Sequence, residues 1–224
     1  MINVAIDGPS GAGKSTIAKA VAKKKGFIYV DTGALYRSIG LYVSRKGIAK
    51  EDKESIISCL PEISLELKYV EGVQRVYLNS EDVSEAIRMP EISMYASAVS
   101  SVQEVRDFLL GIQRDMAKKY DVIMDGRDIG TVILPDATVK IFMTASNEGR
   151  AKRRYKELCE KGVETTYEEV LRDMTERDRA DSTRAIAPAV PAEDAIMFDN
   201  TEYGIEECVD RIIDIIEEAA AKRG

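Results

Sequence analysis

A glycine-rich loop set between a short apolar run and a helix-forming run constrains this chain more than any other feature. Residues 2–6, INVAI, are apolar and β-branched, which suits a buried strand. Asp7 and the glycines after it break that run. Residues 14–25 then favour a helix, with Ile17, Ala18, Val21 and Ala22 on one stripe and Gly26 as the stop. The loop reads Gly8-Pro9-Ser10-Gly11-Ala12-Gly13-Lys14-Ser15, the GxxxxGK[ST] spacing of a phosphate loop. Its glycines let the backbone curl so that N–H groups converge on an anion, and the helix adds its positive end. Lys14 is then expected to reach the β/γ-phosphates and the Ser15 hydroxyl to ligate Mg²⁺ carried with ATP. Residues 8–15, with Thr16 after them, are the expected ATP-binding set. A chance match in a chain of this length is on the order of 1%.

The pattern after the loop predicts alternating strands and helices, hence a parallel sheet covered on both faces. Strands are expected at 27–30, 122–124, 139–143 and 195–198. Helices are expected at 32–45, 147–161 and 166–177, and from residue 205 on the stripe Ile205, Cys208, Val209, Ile212, Ile213, Ile216. Val102, Val105, Leu109, Ile112 and Met116 predict one more amphipathic helix. From residue 61 the period changes. Ile63, Leu65, Leu67 and Tyr69 alternate with polar residues, Glu71-Gly72 reads as a turn, and residues 73–78 return antiparallel. That makes a small hairpin insertion. The Ala- and Pro-rich segment 180–194 reads as a loop.

Composition narrows the chemistry. There is no histidine among the 224 residues, which excludes Ser-His-Asp and Cys-His catalysis and His-ligated metals. Cys59, Cys159 and Cys208 are far apart and form no CxxC, so neither a disulfide framework nor a zinc site is expected. A net charge of −7 disfavours a nucleic-acid-binding face. No run approaches the roughly 20 apolar residues needed to span a membrane, and the N-terminus has no secretory pattern. A cytoplasmic, monomeric protein is expected. The positive charge is local: seven of sixteen arginines lie between Arg150 and Arg184.

A phosphate loop alone serves switches, motors and small-molecule kinases. Guanine-specific switches carry an [NT]KxD element after a strand, whereas Asn200-Thr201-Glu202-Tyr203 follows the last strand here. Motors run longer. A single P-loop domain with one early and one late insertion, and arginines gathered late, suits phosphoryl transfer to a small acceptor, a reaction that needs positioning and positive charge. A kinase for another acceptor such as UMP or AMP, and a nucleotide-binding regulatory switch, remain the alternatives.

Two further elements sharpen this: residues 31–37, DTGALYR, and residues 125–132, DGRDIGTV, followed by Pro135-Asp136-Ala137 and by residues 187–192, APAVPA. With the phosphate loop they resemble the bacterial cytidylate kinases over essentially the whole length. The resemblance implies a P-loop α/β fold with a five-stranded parallel sheet, a small antiparallel acceptor-binding insertion and a short lid. Approximate boundaries are 1–60, 101–149 and 178–224 for the core, 61–100 for the insertion and 150–177 for the lid. It implies transfer of the ATP γ-phosphoryl group to CMP or dCMP with Mg²⁺. Thr32, Tyr36, Arg37, Ser97, Arg106, Arg127, Asp128, Arg177, Asp181 and Arg184 match its acceptor-binding positions. Within that set Arg37 is expected on the acceptor phosphate, Asp128 near the cytosine, Ser97 with Arg106 on the base, and Asp181 on a ribose hydroxyl. Thr32 stands where the family often has Ser, and keeps the hydroxyl. Arg150, Arg153 and Arg154 lie on one predicted helix, and two of them share a face. Lys14, Arg127, Arg153 and Arg154 are the expected catalytic set.

Overall fold

The computed structural model describes residues 1–70, 73–160 and 162–222, so the expected Glu71-Gly72 turn lies outside the described residues. The chain divides into two compact units, Met1–Tyr29 with Lys119–Gly224, and Val30–Lys118.

The first unit carries most of the sheet. β1 (Asn3–Asp7) runs into the phosphate loop, and α1 (Lys14–Lys25) follows it. α1 ends on Gly26 at φ 71°, where a glycine meets no Cβ penalty. β2 (Ile28–Asp31) follows and spans the boundary between the units.

α2 (Thr32–Arg45) opens the second unit's helices, with Asp31 at its start accepting the Ala34 N–H at 2.9 Å. α3 (Lys53–Cys59) is capped by Asp52 in the same way. β3 (Leu65–Val70) and β4 (Val73–Leu78) pair antiparallel, with Leu65 opposite Leu78. A two-residue β5 (Glu81–Asp82) adds to β4. The half-buried, exposed alternation along β3 is the predicted one. α4 (Pro90–Val99) starts with its proline in the first turn, where no N–H is needed. α5 (Gln103–Lys119) closes the unit. Leu35, Ile39, Ile56, Ile87, Ile92 and Leu109 are the largest fully buried side chains of this unit's core.

The predicted stripe on α5 drifts. Val102, Val105 and Leu109 are buried, but steps of four from Val105 place Gln113 and Ala117 inside, and Ile112 and Met116 are only half-buried. α3, α4 and β5 were not expected from the sequence. The buried faces of α3 and α4 amount to a few residues each, among them Ile56, Cys59, Ile92, Ala96 and Val99, too few to set a period.

Back in the first unit, β6 (Val122–Asp125), β7 (Val139–Thr144) and β8 (Ile196–Asp199) complete a five-stranded sheet of order β2-β6-β1-β7-β8. The β1–β6, β1–β7 and β7–β8 pairs are parallel, with Ala5 opposite both Met124 and Lys140. Val4, Ala5 and Ile6 are fully buried, so both faces of the central strand are covered, as a parallel sheet requires. α8 (Ile205–Ala221) shares a core with α1 through Ile17, Val21, Cys208 and Ile212. Ile205 departs from the predicted stripe: it starts the helix and stays exposed. α6 (Asn147–Glu160) and α7 (Tyr167–Thr183) pack on each other through Ala151, Leu158, Val170 and Met174, a small core of their own.

α7 corrects one expectation. The segment from residue 180 is not all loop, because the helix continues to Thr183. The Asp181 carbonyl in that last turn accepts the Ala189 N–H at 2.9 Å, so the following chain folds back and satisfies a group that would otherwise face solvent. The start of α7 is a full capping box between Thr166 and Glu169.

Candidate functional site

The phosphate loop leaves the carboxyl end of β1, the middle strand of the sheet. Gly8 has φ 142°, and a Cβ there would lie 2.0 Å from the Met143 carbonyl oxygen, so only glycine lets the loop turn this close to β7. Gly11, at φ 71°, lies against Met174 and Arg150, so α6 and α7 pack directly on the loop. Lys14 is buried and its Nζ donates to the Pro9 carbonyl at 2.7 Å. Burial pushes its ammonium down to about 7, with the nearby Arg127 acting the same way and Asp125 and Asp7 opposing.

Ser15 Oγ donates to Asp125 Oδ2 at 2.6 Å. Asp125 ends β6, beside β1, and its other oxygen accepts from the Tyr29 hydroxyl at 2.7 Å. The two hard oxygens of Ser15 and Asp125 suit a hydrated dication that also takes phosphate oxygens. Among the described residues no group of three acidic, Cys or His side chains could hold a metal by protein ligands alone.

Asp7 closes the other side of the loop. Its carboxylate accepts the N–H groups of Ile129 and Gly130 at 2.8 and 2.7 Å, capping a single π-helical turn over Ile129–Ile133. That turn directly follows Arg127 and Asp128. Burial raises the Asp7 carboxyl from 3.8 to about 6, against the two backbone bonds that lower it. The folded state therefore holds this proton more tightly than the unfolded chain. The stability it contributes is complete below about pH 4 and is lost as pH rises through about 6. Asp7→Asn should remove that part of the decline between pH 4 and 6, read from urea unfolding at each pH. An unchanged slope would mean that Asp7 is ionised at low pH in the folded protein.

Arg127, Asp128, Arg177, Asp181 and Arg184 come together in the first unit, at the end of β6 and the last turns of α7. Arg127 Nε donates to Asp181 Oδ2 at 3.0 Å, and Arg177 Nε lies 4.0 Å from the same oxygen. Arg184 reaches Asp128 Oδ1 at 3.7 Å and donates from Nε to the Ala187 carbonyl at 2.8 Å. Asp128 and Asp181 are buried, so these charges are partnered in a largely dry setting.

Thr32, Tyr36, Arg37, Ser97 and Arg106 lie in the second unit. Thr32 is the first residue of α2 and is buried. Arg37 pairs with Asp31 at 2.8 Å, and Arg106, buried on α5, stacks its guanidinium 5.6 Å from the Tyr36 ring and donates to the Ser100 carbonyl. Ser97 is half-buried, its carbonyl accepting from the Ser100 hydroxyl.

The arginines of α6 have protein partners. Arg150 is buried and reaches the carbonyls of Ser10 and Ala145, the Asn147 side chain and the Asp178 carboxylate. The same carboxylate accepts the Ser10 N–H at 3.1 Å. Arg153 clasps Asn200, which donates to the Ala12 carbonyl at 2.7 Å. Arg154 pairs with Glu157. Thr16 is exposed on the first turn of α1. Sequence reasoning missed Asp7, Tyr29, Asp125, Asp178 and Asn200. Asp7 and Asp125 had a local signal, each ending an apolar strand on an acidic residue.

A glycine loop on the central strand of this sheet, with a buried lysine, a hydroxyl and a carboxylate from the adjoining strand, defines a P-loop nucleotide-binding protein. Solved structures of the same fold include an uncharacterized protein from Eubacterium ventriosum (TM-score 0.52, 14% identity, covering 97% of this chain and 99% of that one). Another is a gluconokinase from Sinorhizobium meliloti (TM-score 0.50, 14% identity, covering 99% and 94%). The cytidylate kinase family model matches residues 4–218. A cytidylate kinase of Caldicellulosiruptor saccharolyticus is 53% identical over 214 residues, 96% of this chain and 95% of the relative. One of Thermosipho melanesiensis is 49% identical over 215 residues, 96% of each chain. This chain belongs to the cytidylate kinase family.

Proposed function

We propose that this protein transfers the γ-phosphoryl group of ATP to CMP or dCMP, yielding CDP or dCDP. The observation that carries the reading is the phosphate loop in one compact unit with the Arg127–Asp181, Arg177 and Arg184–Asp128 cluster, in a chain about half identical to proteins named cytidylate kinase. Residues 8–16 take ATP. Ser15, with Asp125 beside it, would hold Mg²⁺, which would supply positive charge against the phosphates. Lys14 and Arg127 stabilise the transferring group, and Arg153 and Arg154 exchange Asn200 and Glu157 for phosphate oxygens when the α6–α7 lid closes. Residues 61–100 serve the acceptor. The protein works as a cytoplasmic monomer without nucleic-acid partners; its net charge of −7 supports the last point, and no described helix is long and apolar enough to cross a membrane.

The lid must exclude water, or ATP would be hydrolysed. The root of α6 is pinned by Arg150 and that of α7 by Asp178, so closure belongs to the far end of the hairpin. Amide exchange over residues 155–170 should slow when a bisubstrate analogue binds. Unchanged exchange there would mean that the α6–α7 hairpin does not close over the nucleotide.

The acceptor residues divide by task. Cytosine presents an N4 amino donor, which a carboxylate accepts, whereas uracil presents an oxygen. Asp128 and Arg106 read the base, Thr32, Tyr36 and Ser97 line the acceptor, Asp181 takes a ribose hydroxyl, Arg37 takes the acceptor phosphate, and Arg177 and Arg184 take phosphate or base edges. Asp128→Ala should cut CMP turnover more than UMP turnover and narrow their ratio, whereas Arg37→Ala should weaken every acceptor alike. The opposite pattern in kcat/KM would overturn this division.

A further inference from the structure

We infer that Tyr29 is a positioning residue for the metal-bearing carboxylate of Asp125. The inference rests on the proposed kinase reading but names a residue outside the matched motifs. Asp125 accepts two O–H donors, one on each oxygen: Ser15 at 2.6 Å on Oδ2 and Tyr29 at 2.7 Å on Oδ1. Ser15 is part of the phosphate loop, whereas Tyr29 comes from β2 at the sheet edge. The Tyr29 ring packs on the core that α1 shares with the sheet and α8, and the Lys19 ammonium sits 5.3 Å from its centroid. The phenol oxygen is thus held in place from behind.

A carboxylate on a short side chain turns about one soft bond. With Oδ1 pinned to a fixed phenol, Oδ2 is held towards Ser15, and the pair of oxygens is set before metal and phosphate arrive. Without the phenol, Asp125 regains rotational freedom that must be lost again on binding. Mg²⁺ is sensitive to this because it demands near-ideal octahedral geometry and keeps several waters whose orientation the carboxylate governs. Partners of this kind are worth roughly 10- to 100-fold in metal affinity.

The experiment compares wild-type protein with Tyr29→Phe, which removes one oxygen and keeps the ring. Mn²⁺ is titrated into each in the presence of a non-hydrolysable ATP analogue, and free Mn²⁺ is read by electron paramagnetic resonance. Tyr29→Phe should weaken Mn²⁺ by about 10-fold, and the Mg²⁺ concentration giving half-maximal rate should rise by a similar factor. Asp125→Asn supplies the second arm: on that background, adding Tyr29→Phe should change Mn²⁺ affinity by less than about 2-fold, since the route through Asp125 is gone. Equal Mn²⁺ affinity in wild type and Tyr29→Phe overturns the inference, whatever happens to Tm. So does a shift that persists undiminished in the Asp125→Asn background. The titration contains no CMP, so failure of the acceptor reading would appear separately, as absent turnover with CMP.

Discussion

Lys14→Met should lower kcat by roughly 10³-fold, the usual cost of removing one positioned charge-stabilising group, and leave the fold intact. The Lys14 ammonium donates to the Pro9 carbonyl of its own loop, 2.7 Å away. Burial and Arg127 both press it towards the neutral form. A charge that the protein alone holds so unfavourably suits a phosphate chain, whose negative oxygens return the ammonium form to favour. Methionine keeps most of the buried stem, so urea unfolding should show no loss of stability. Turnover within about tenfold of wild type would remove Lys14 from the catalytic set.

Arg150→Met should lower stability by about 3 kcal/mol, the scale expected when one partner of a buried charge pair is removed. The sequence places Arg150 with Arg153 and Arg154 on one helix, two of the three sharing a face. The Arg150 guanidinium joins Asp178 to the Ser10 and Ala145 carbonyls and the Asn147 side chain. Its loss strands a largely buried carboxylate and leaves Ser10 with a loosened tie to α7. The loss should appear as a lower urea midpoint at unchanged slope. A change under about 1 kcal/mol would mean that the loop keeps its shape without this network.

Local chemistry decided what could be read in advance. α1 runs from Lys14 to Lys25 as expected, because Gly13 and Gly26 bound it in sequence. α2 runs from Thr32 to Arg45 because Asp31 caps it three residues ahead of the N–H it accepts. The five-stranded sheet was legible because its strands are short and mostly apolar. What escaped depends on distant partners. α7 outruns its expected end at residue 177, its last turn completed by an N–H from residue 189. The Ser15–Asp125 bond spans 110 residues and the Asn200–Ala12 bond spans 188. The expected acceptor residues form two groups, one in each compact unit, and only the first-unit group is a mutual ion-pair cluster. Motif matching could name these positions, but not which charges neutralise one another before a substrate arrives.

The most direct test is a coupled ADP-release assay with ATP and Mg²⁺ across a panel of CMP, dCMP, UMP, AMP and no acceptor. Acceptor-dependent ADP release is expected, with kcat/KM for CMP and dCMP at least about 10²-fold above UMP, since a site built to hydrogen-bond one base leaves buried groups unpaired with another. Equal stimulation by UMP or AMP would contradict the base assignment, and ADP release unaffected by any acceptor would contradict phosphoryl transfer itself.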